Sequence, residues 1–254
     1  MAAARGIAEI DWSAPWLAPY RELGQAVARD VGRGLKVGDA LNHQLDRSPI
    51  VLANGSLRFT APDTASPGEA YESFIGRTAQ VPTRDNLHDL FNGLVWLAFP
   101  PLKRRLNEQH ARQIALDGVR PQRGAVRDRL TLFDENGALW QAPPPLVEAL
   151  RGRDWHALFV THRPAWERAQ LTIVGHALLE KLTAPRKAIT AHVWVVPEGE
   201  DMQAWTPPSL RIDTEGPALE APLPLPVLGI PGWWPANESQ GFYGDAGVFR
   251  PPRG

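Results

Sequence analysis

The chain has 254 residues, no cysteine, and nearly balanced charge, with 27 Lys and Arg against 28 Asp and Glu. Without thiols there can be no disulfide, Cys-ligated zinc, iron–sulfur cluster or thiol nucleophile. A net charge of −1 offers no global attraction to nucleic acid or anionic lipid. No apolar run approaches the roughly 18 residues of a membrane span, and the start, MAAARGIAEIDW, lacks the apolar segment of an export signal. A cytoplasmic protein without membrane or nucleic-acid partners is expected, with a protein partner left open. The 25 prolines and 10 tryptophans predict short elements and packed loops.

In chain order, residues 1–11 are expected to fray, and Trp12, Trp16, Leu17 and Tyr20 to dock as an arm. Leu23, Val27 and Val31 share one face of a predicted helix over Pro19–Gly32, and Val37–Leu45 repeats the pattern. Asn54-Gly55 between Val51-Leu52 and Leu57-Phe59 signals a hairpin. A short helix over Glu69–Arg77 turns Tyr71, Phe74 and Ile75 inward. Val81-Pro82-Thr83 is extended, because Pro82 disfavours helix before it.

Thr83 then caps a helix running from about Arg84 to Phe99, with Asp85 or Asn86 equally able to cap. That helix is apolar around most of its circumference, so it is central. Pro101–Leu116 makes the next helix, its basic side (Lys103, Arg104, Arg105, Arg112, with His110) read as a solvated face. Gly118–Gly124 reads as a loop. Alternating Leu130 and Leu132, with a turn at Asp134–Gly137, predict a hairpin over Asp128–Trp140. A short helix follows at Pro143–Arg151, a second strongly apolar helix at Ala169–Leu182, and a strand at Ala188–Pro197. Residues 207–254 form an irregular Pro/Trp-rich tail that wraps the body. The expected architecture is α+β: one compact domain over 1–254 with central apolar helices and a small sheet or hairpins.

Three stretches carry a family resemblance: VPTRDNLHDLFNGLVWLAFP at Val81–Pro100, GHALLEKL at Gly175–Leu182, and PLPVLGIPGWWP with FYGD and VFRPP near the end. Together they resemble the bacterial family called domain of unknown function 3025, over roughly Trp12 to Pro252. The resemblance implies a proteobacterial cytoplasmic protein, brings no activity, and directs attention to Arg84, Asn86, His88, Asp89, Asn92, His176 and His192.

Read from the residues, the first turns of the central helix concentrate polar groups that need partners when buried. His88 with Asn92, Asp85 with Asp89, and His176 with Glu180 are each spaced i,i+4 and share a helical face. If the two apolar helices meet, His88, Asp89, His176 and Glu180 supply enough donors for one zinc, iron or manganese ion. A water on that metal would be a hydrolytic nucleophile, with His88, Asp89 and His192 as the catalytic groups. Arg84 at a helix start, with Asn86 and Asn92, would hold a small anionic molecule. The expectation is therefore a metal-assisted hydrolase of a small anionic substrate. Its alternative is a non-catalytic module binding a small ligand or a protein, with structural histidines. The sequence holds no HExxH, phosphate-binding loop, dinucleotide fingerprint or serine elbow.

Overall fold

The computed structural model describes residues 6–65, 68–117, 124–205, 207 and 221–251. The protein is α+β, as expected, with its helices packed beside a small mixed sheet. A 3-10 turn at Pro15–Tyr20 leads into helices α1 (Arg21–Gly32) and α2 (Val37–Arg47). Strands β1 (Val51–Leu52) and β2 (Gly55–Ser56) form the hairpin predicted at Asn54-Gly55, with Leu52 opposite Gly55. Strand β3 (Arg58–Thr60) runs parallel to β4 (Gln80–Pro82), with α3 (Tyr71–Thr78) between them. Then come α4 (Leu87–Ala98), α5 (Pro100–Asp117) and α6 (Ala125–Asn136).

The remaining elements build the main sheet: β5 (Gly137–Gln141), α7 (Pro144–Arg151), β6 (Gln170–Ile173), α8 (His176–Lys181), β7 (Thr190–Val195) and β8 (Leu223–Pro226). The sheet order is β6-β5-β7-β8. Strand β5 pairs antiparallel with β6 and parallel with β7, which in turn pairs antiparallel with β8. Ala138, Leu139 and Trp140 of β5 are all buried, so this strand is covered on both faces. Pro224 and Pro226 suit β8 to the sheet edge, where missing N–H donors cost nothing.

Helix α4 is central, as its apolar circumference requires: Leu90, Phe91, Leu94, Val95 and Trp96 are buried. Gly93 lets α2 approach it closely, since a Cβ there would run into the Leu41 side chain. Ile7 and Ile10 are buried, so only residues 1–5 of the stretch expected to fray lie outside the described residues. Trp16 packs against Trp233 at a centroid distance of 6.0 Å, and Tyr20 donates its hydroxyl hydrogen to the Ile173 carbonyl at 2.7 Å. The N-terminal arm is thereby tied both to the tail and to the sheet. Among the described residues, no helix is long and apolar enough to cross a membrane.

Three expectations need correction. The hairpin predicted over Asp128–Trp140 is α6 followed by β5. Leu130 and Phe133, three apart, are fully buried on one helical side, and that spacing outweighs the short Leu130/Leu132 alternation. The helix predicted over Ala169–Leu182 divides at Gly175 into β6 and the short α8. The basic side of α5 is not uniformly solvated: Lys103 and His110 lie buried beside Leu102 and Leu106. Residues 208–220 and 252–254 of the expected tail lie outside the described residues, as do residues 118–123 of the loop expected at Gly118–Gly124.

Candidate functional site

The N-terminus of α4 is built by its own polar residues. Asn86 is the N-cap, its Oδ1 accepting from the Asp89 N–H at 2.7 Å. Thr83 does not cap. It donates its hydroxyl hydrogen to the Val81 carbonyl and turns the chain out of β4. Asp89 accepts from the Arg84 backbone N–H at 2.6 Å, and from Arg84 Nε and Nη2 at 3.0 and 2.9 Å. Asp85 accepts from the Val37 N–H at 2.8 Å, anchoring the start of α2. Of the residues expected to bind a ligand or metal here, Arg84, Asn86 and Asp89 mainly hold one another.

His88 points the other way, toward α8. Its Nδ1 donates to Glu180 Oε2 at 3.0 Å, and its Nε2 meets His176 Nε2 at 3.0 Å. The sequence-based expectation that the two apolar segments bring their histidines together is met. Gly175 makes this geometry accessible: any Cβ there would lie 2.6 Å from the backbone of Glu135 and Asn136. That close approach of α8 to the end of α6 seats His176 beside Asp134, with Nδ1 3.7 Å from Oδ2.

Behind the histidines lies a polar chain that sequence reasoning missed. Lys103 is only 4% exposed, and its ammonium donates to Asp134 Oδ1 at 2.6 Å and Asn92 Oδ1 at 2.9 Å. Asn92 Nδ2 in turn donates to the Tyr71 hydroxyl at 3.0 Å. His110 of α5 faces Glu72 of α3 across 3.7 Å. Buried His110 and His176 and half-buried His88 thus sit in internal ion-pair positions with Glu72, Asp134 and Glu180.

These contacts fix charge states. Burial pushes the His176 pKa down to about 4, against the pull of Asp134, so the ring is neutral at pH 7. Burial likewise lowers the pKa of His110. Burial alone would raise the Asp134 carboxyl, but Lys103 and then His176 outweigh it and hold it at about 2. Ionisation of Tyr71 is pushed up by burial and by the nearby Asp89 and Asp134.

These side chains line a cavity of about 450 Å³, walled among others by Tyr71, Arg84, His88, Asn92, His110 and His176. A recess of about 40 Å³ reaches on toward Trp96 and Lys103. His192 is not part of this wall. It lies on β7 opposite Gly137, its pKa lowered by burial and by Lys181. Among the described residues, no group of three or more His, Asp or Glu side chains is arranged to hold a metal ion. The four-residue set His88, Asp89, His176 and Glu180 is not assembled as a ligand sphere, because Asp89 turns to Arg84 and Glu180 to the far nitrogen of His88.

A family model described as a protein of unknown function (DUF3025) matches residues 57–253. The chain belongs to that family. No curated protein and no solved structure matches it.

Proposed function

We propose that this member of the DUF3025 family is a non-catalytic module that binds a small polar molecule in the cavity between α3, α4, α6 and α8. The observation that supports this most is the cavity of about 450 Å³, whose polar groups, Arg84 apart, sit on packed helices. Concave sites of this size, with a few fixed donors and acceptors, are where small ligands bind. In this reading Glu180 fixes the His88 ring, and Glu72 and Asp134 face the His110 and His176 rings across 3.7 Å, as parts of a pre-formed wall.

The hydrolytic reading has less support. Two of its three catalytic groups are engaged or displaced, since Asp89 is held by Arg84 and His192 stands off the wall. Arg84 already commits its Nε and Nη2 to Asp89. The same reading places the protein in a bacterial cytoplasm, which cell fractionation tests.

The functional test is a ligand-detected NMR screen of a polar fragment library against the purified chain. Hits are expected to raise stability by about 2.7 kcal/mol at a hundredfold excess over Kd. Glu135→Trp, which projects a large ring from the cavity wall, should abolish them. Arg153→Ala, in a separate groove of about 400 Å³, should leave them unchanged. Absence of hits, or hits that ignore Glu135→Trp, overturns the reading.

A further inference from the structure

We propose that His88 and His176 together bind one divalent transition-metal ion through their Nε2 atoms, with Glu180 and Asp134 as outer-shell partners of the two Nδ1 atoms. This site differs from the four-ligand set expected from the sequence, and it is independent of which molecule fills the cavity.

The first support is a hydrogen-bond conflict. Ionised Glu180 only accepts, so a neutral His88 places its one proton on Nδ1 and leaves Nε2 as an acceptor. His176 must then carry its proton on Nε2. Its Nδ1 becomes a bare lone pair 3.7 Å from the Asp134 carboxylate, buried and without a hydrogen-bond partner. Two acceptors facing one another in a buried site is an unfavourable arrangement. A metal ion in place of the shared proton removes the conflict. Both Nε2 lone pairs then go to the ion, and both Nδ1–H groups point at carboxylates.

The second support is the tilt of the rings. A linear N–H···N bond with a 3.0 Å separation would hold the ring centroids about 5.3 Å apart. They are 4.5 Å apart, with the ring planes at 78°. The two nitrogens therefore do not face one another along a straight line, and an ion at the ~2.0–2.1 Å of a zinc–imidazole bond from each can span their 3.0 Å separation. Carboxylates behind metal-bound imidazoles are the usual means of fixing tautomer and orientation.

The third is charge. Asp89, Asp134, Glu135 and Glu180 surround the pair, against Arg84 and Lys103, so the local balance favours a cation. Two protein ligands leave the remaining coordination positions to water or to the occupant of the cavity.

The experiment is calorimetric titration of untagged, chelator-treated protein with zinc chloride, followed by cobalt chloride with visible absorption as a second readout. One equivalent is expected to bind, and Co²⁺ should give ligand-field bands. His88→Ala and His176→Ala should each weaken binding at least about a hundredfold, and Glu180→Gln about 10–100-fold. Because the alanine variants could lose fold, circular dichroism accompanies each. In the parent, ¹⁵N NMR of the rings should show both Nδ1 atoms protonated and both Nε2 atoms metal-shifted when zinc is present. No heat and no ring shift at about 0.1 mM zinc overturns the proposal, as does binding that survives both histidine substitutions. In either case the small-molecule reading stands or falls separately, on the fragment screen repeated with chelator-treated protein.

Discussion

Two polar clusters border the same cavity. At the start of α4, Arg84, Asp85, Asn86 and Asp89 satisfy one another and the backbone, with every contact at 2.6–3.0 Å. Across the cavity, His176 Nδ1 and His110 Nδ1 are buried without a partner, and carboxylates stand 3.7 Å away from each. The two regions have similar composition and opposite meaning. A polar cluster that closes on itself makes a helix cap and a chain reversal. A cluster that leaves buried nitrogens unsatisfied leaves room for something else to complete it.

The difference can be pressed hardest at Lys103. Its ammonium is the cation that keeps half-buried Asp134 ionised. Lys103→Met should cost about 3–5 kcal/mol, because it leaves a carboxylate without its partner. Denaturant unfolding at pH 7 measures it, and a cost below about 1 kcal/mol would mean that the chain from Tyr71 to Asp134 is not a structural unit.

Acid should act on the same region. The folded pKa of His176 is depressed from 6.5 to about 4, so the folded state disfavours its protonation. The associated stability is fully present above pH 6.5 and is lost as pH falls toward 4, by about 3 kcal/mol in metal-free buffer. His110 shifts in the same direction and adds to the loss. Asp134, held at about 2, contributes stability that persists until the pH falls below 3.8. Stability measured from pH 8 to 4.5 should therefore decline, and the decline should shrink in His176→Gln.

The self-satisfied side should respond less. Asn86→Ala removes one N-cap bond and should cost about 1 kcal/mol, with no change in fragment binding. The exposed Arg58–Asp46 pair, away from both regions, sets the floor. Asp46→Asn should change stability by less than about 0.5 kcal/mol.

The legible parts of the molecule were those where one period ran long enough to be read. The apolar circumference of α4, the strand at β7 and the Asn54-Gly55 turn all formed as expected. The site was half legible. His88 and His176 could be paired because each lies on a predicted apolar helix with a polar residue four positions on, Asn92 and Glu180. The set Tyr71, Glu72, Lys103, His110 and Asp134 was not found, for identifiable reasons. Lys103 sits in a run with Arg104 and Arg105, and only the 102, 103, 106, 109, 110 burial stripe shows that it faces inward. Asp134 precedes Glu135-Asn136-Gly137 and reads as a turn residue, whereas Gly137 ends a helix whose last turn points Asp134 into the cavity. Gly175 hid the change from strand to helix within one apolar run. None of these contacts has a local signature, because each partner lies on a different element.

The central claim is that the unsatisfied wall is a ligand site, and the protein carries its own control in the groove of similar size beside Arg153, Trp155 and Arg250. Chemical-shift mapping of fragment hits on ¹⁵N-labelled protein decides between them. A footprint centred on Tyr71, His88, Asn92 and His176 is the predicted result. A footprint centred on Trp155 and Thr190, or one scattered over the surface, would contradict it.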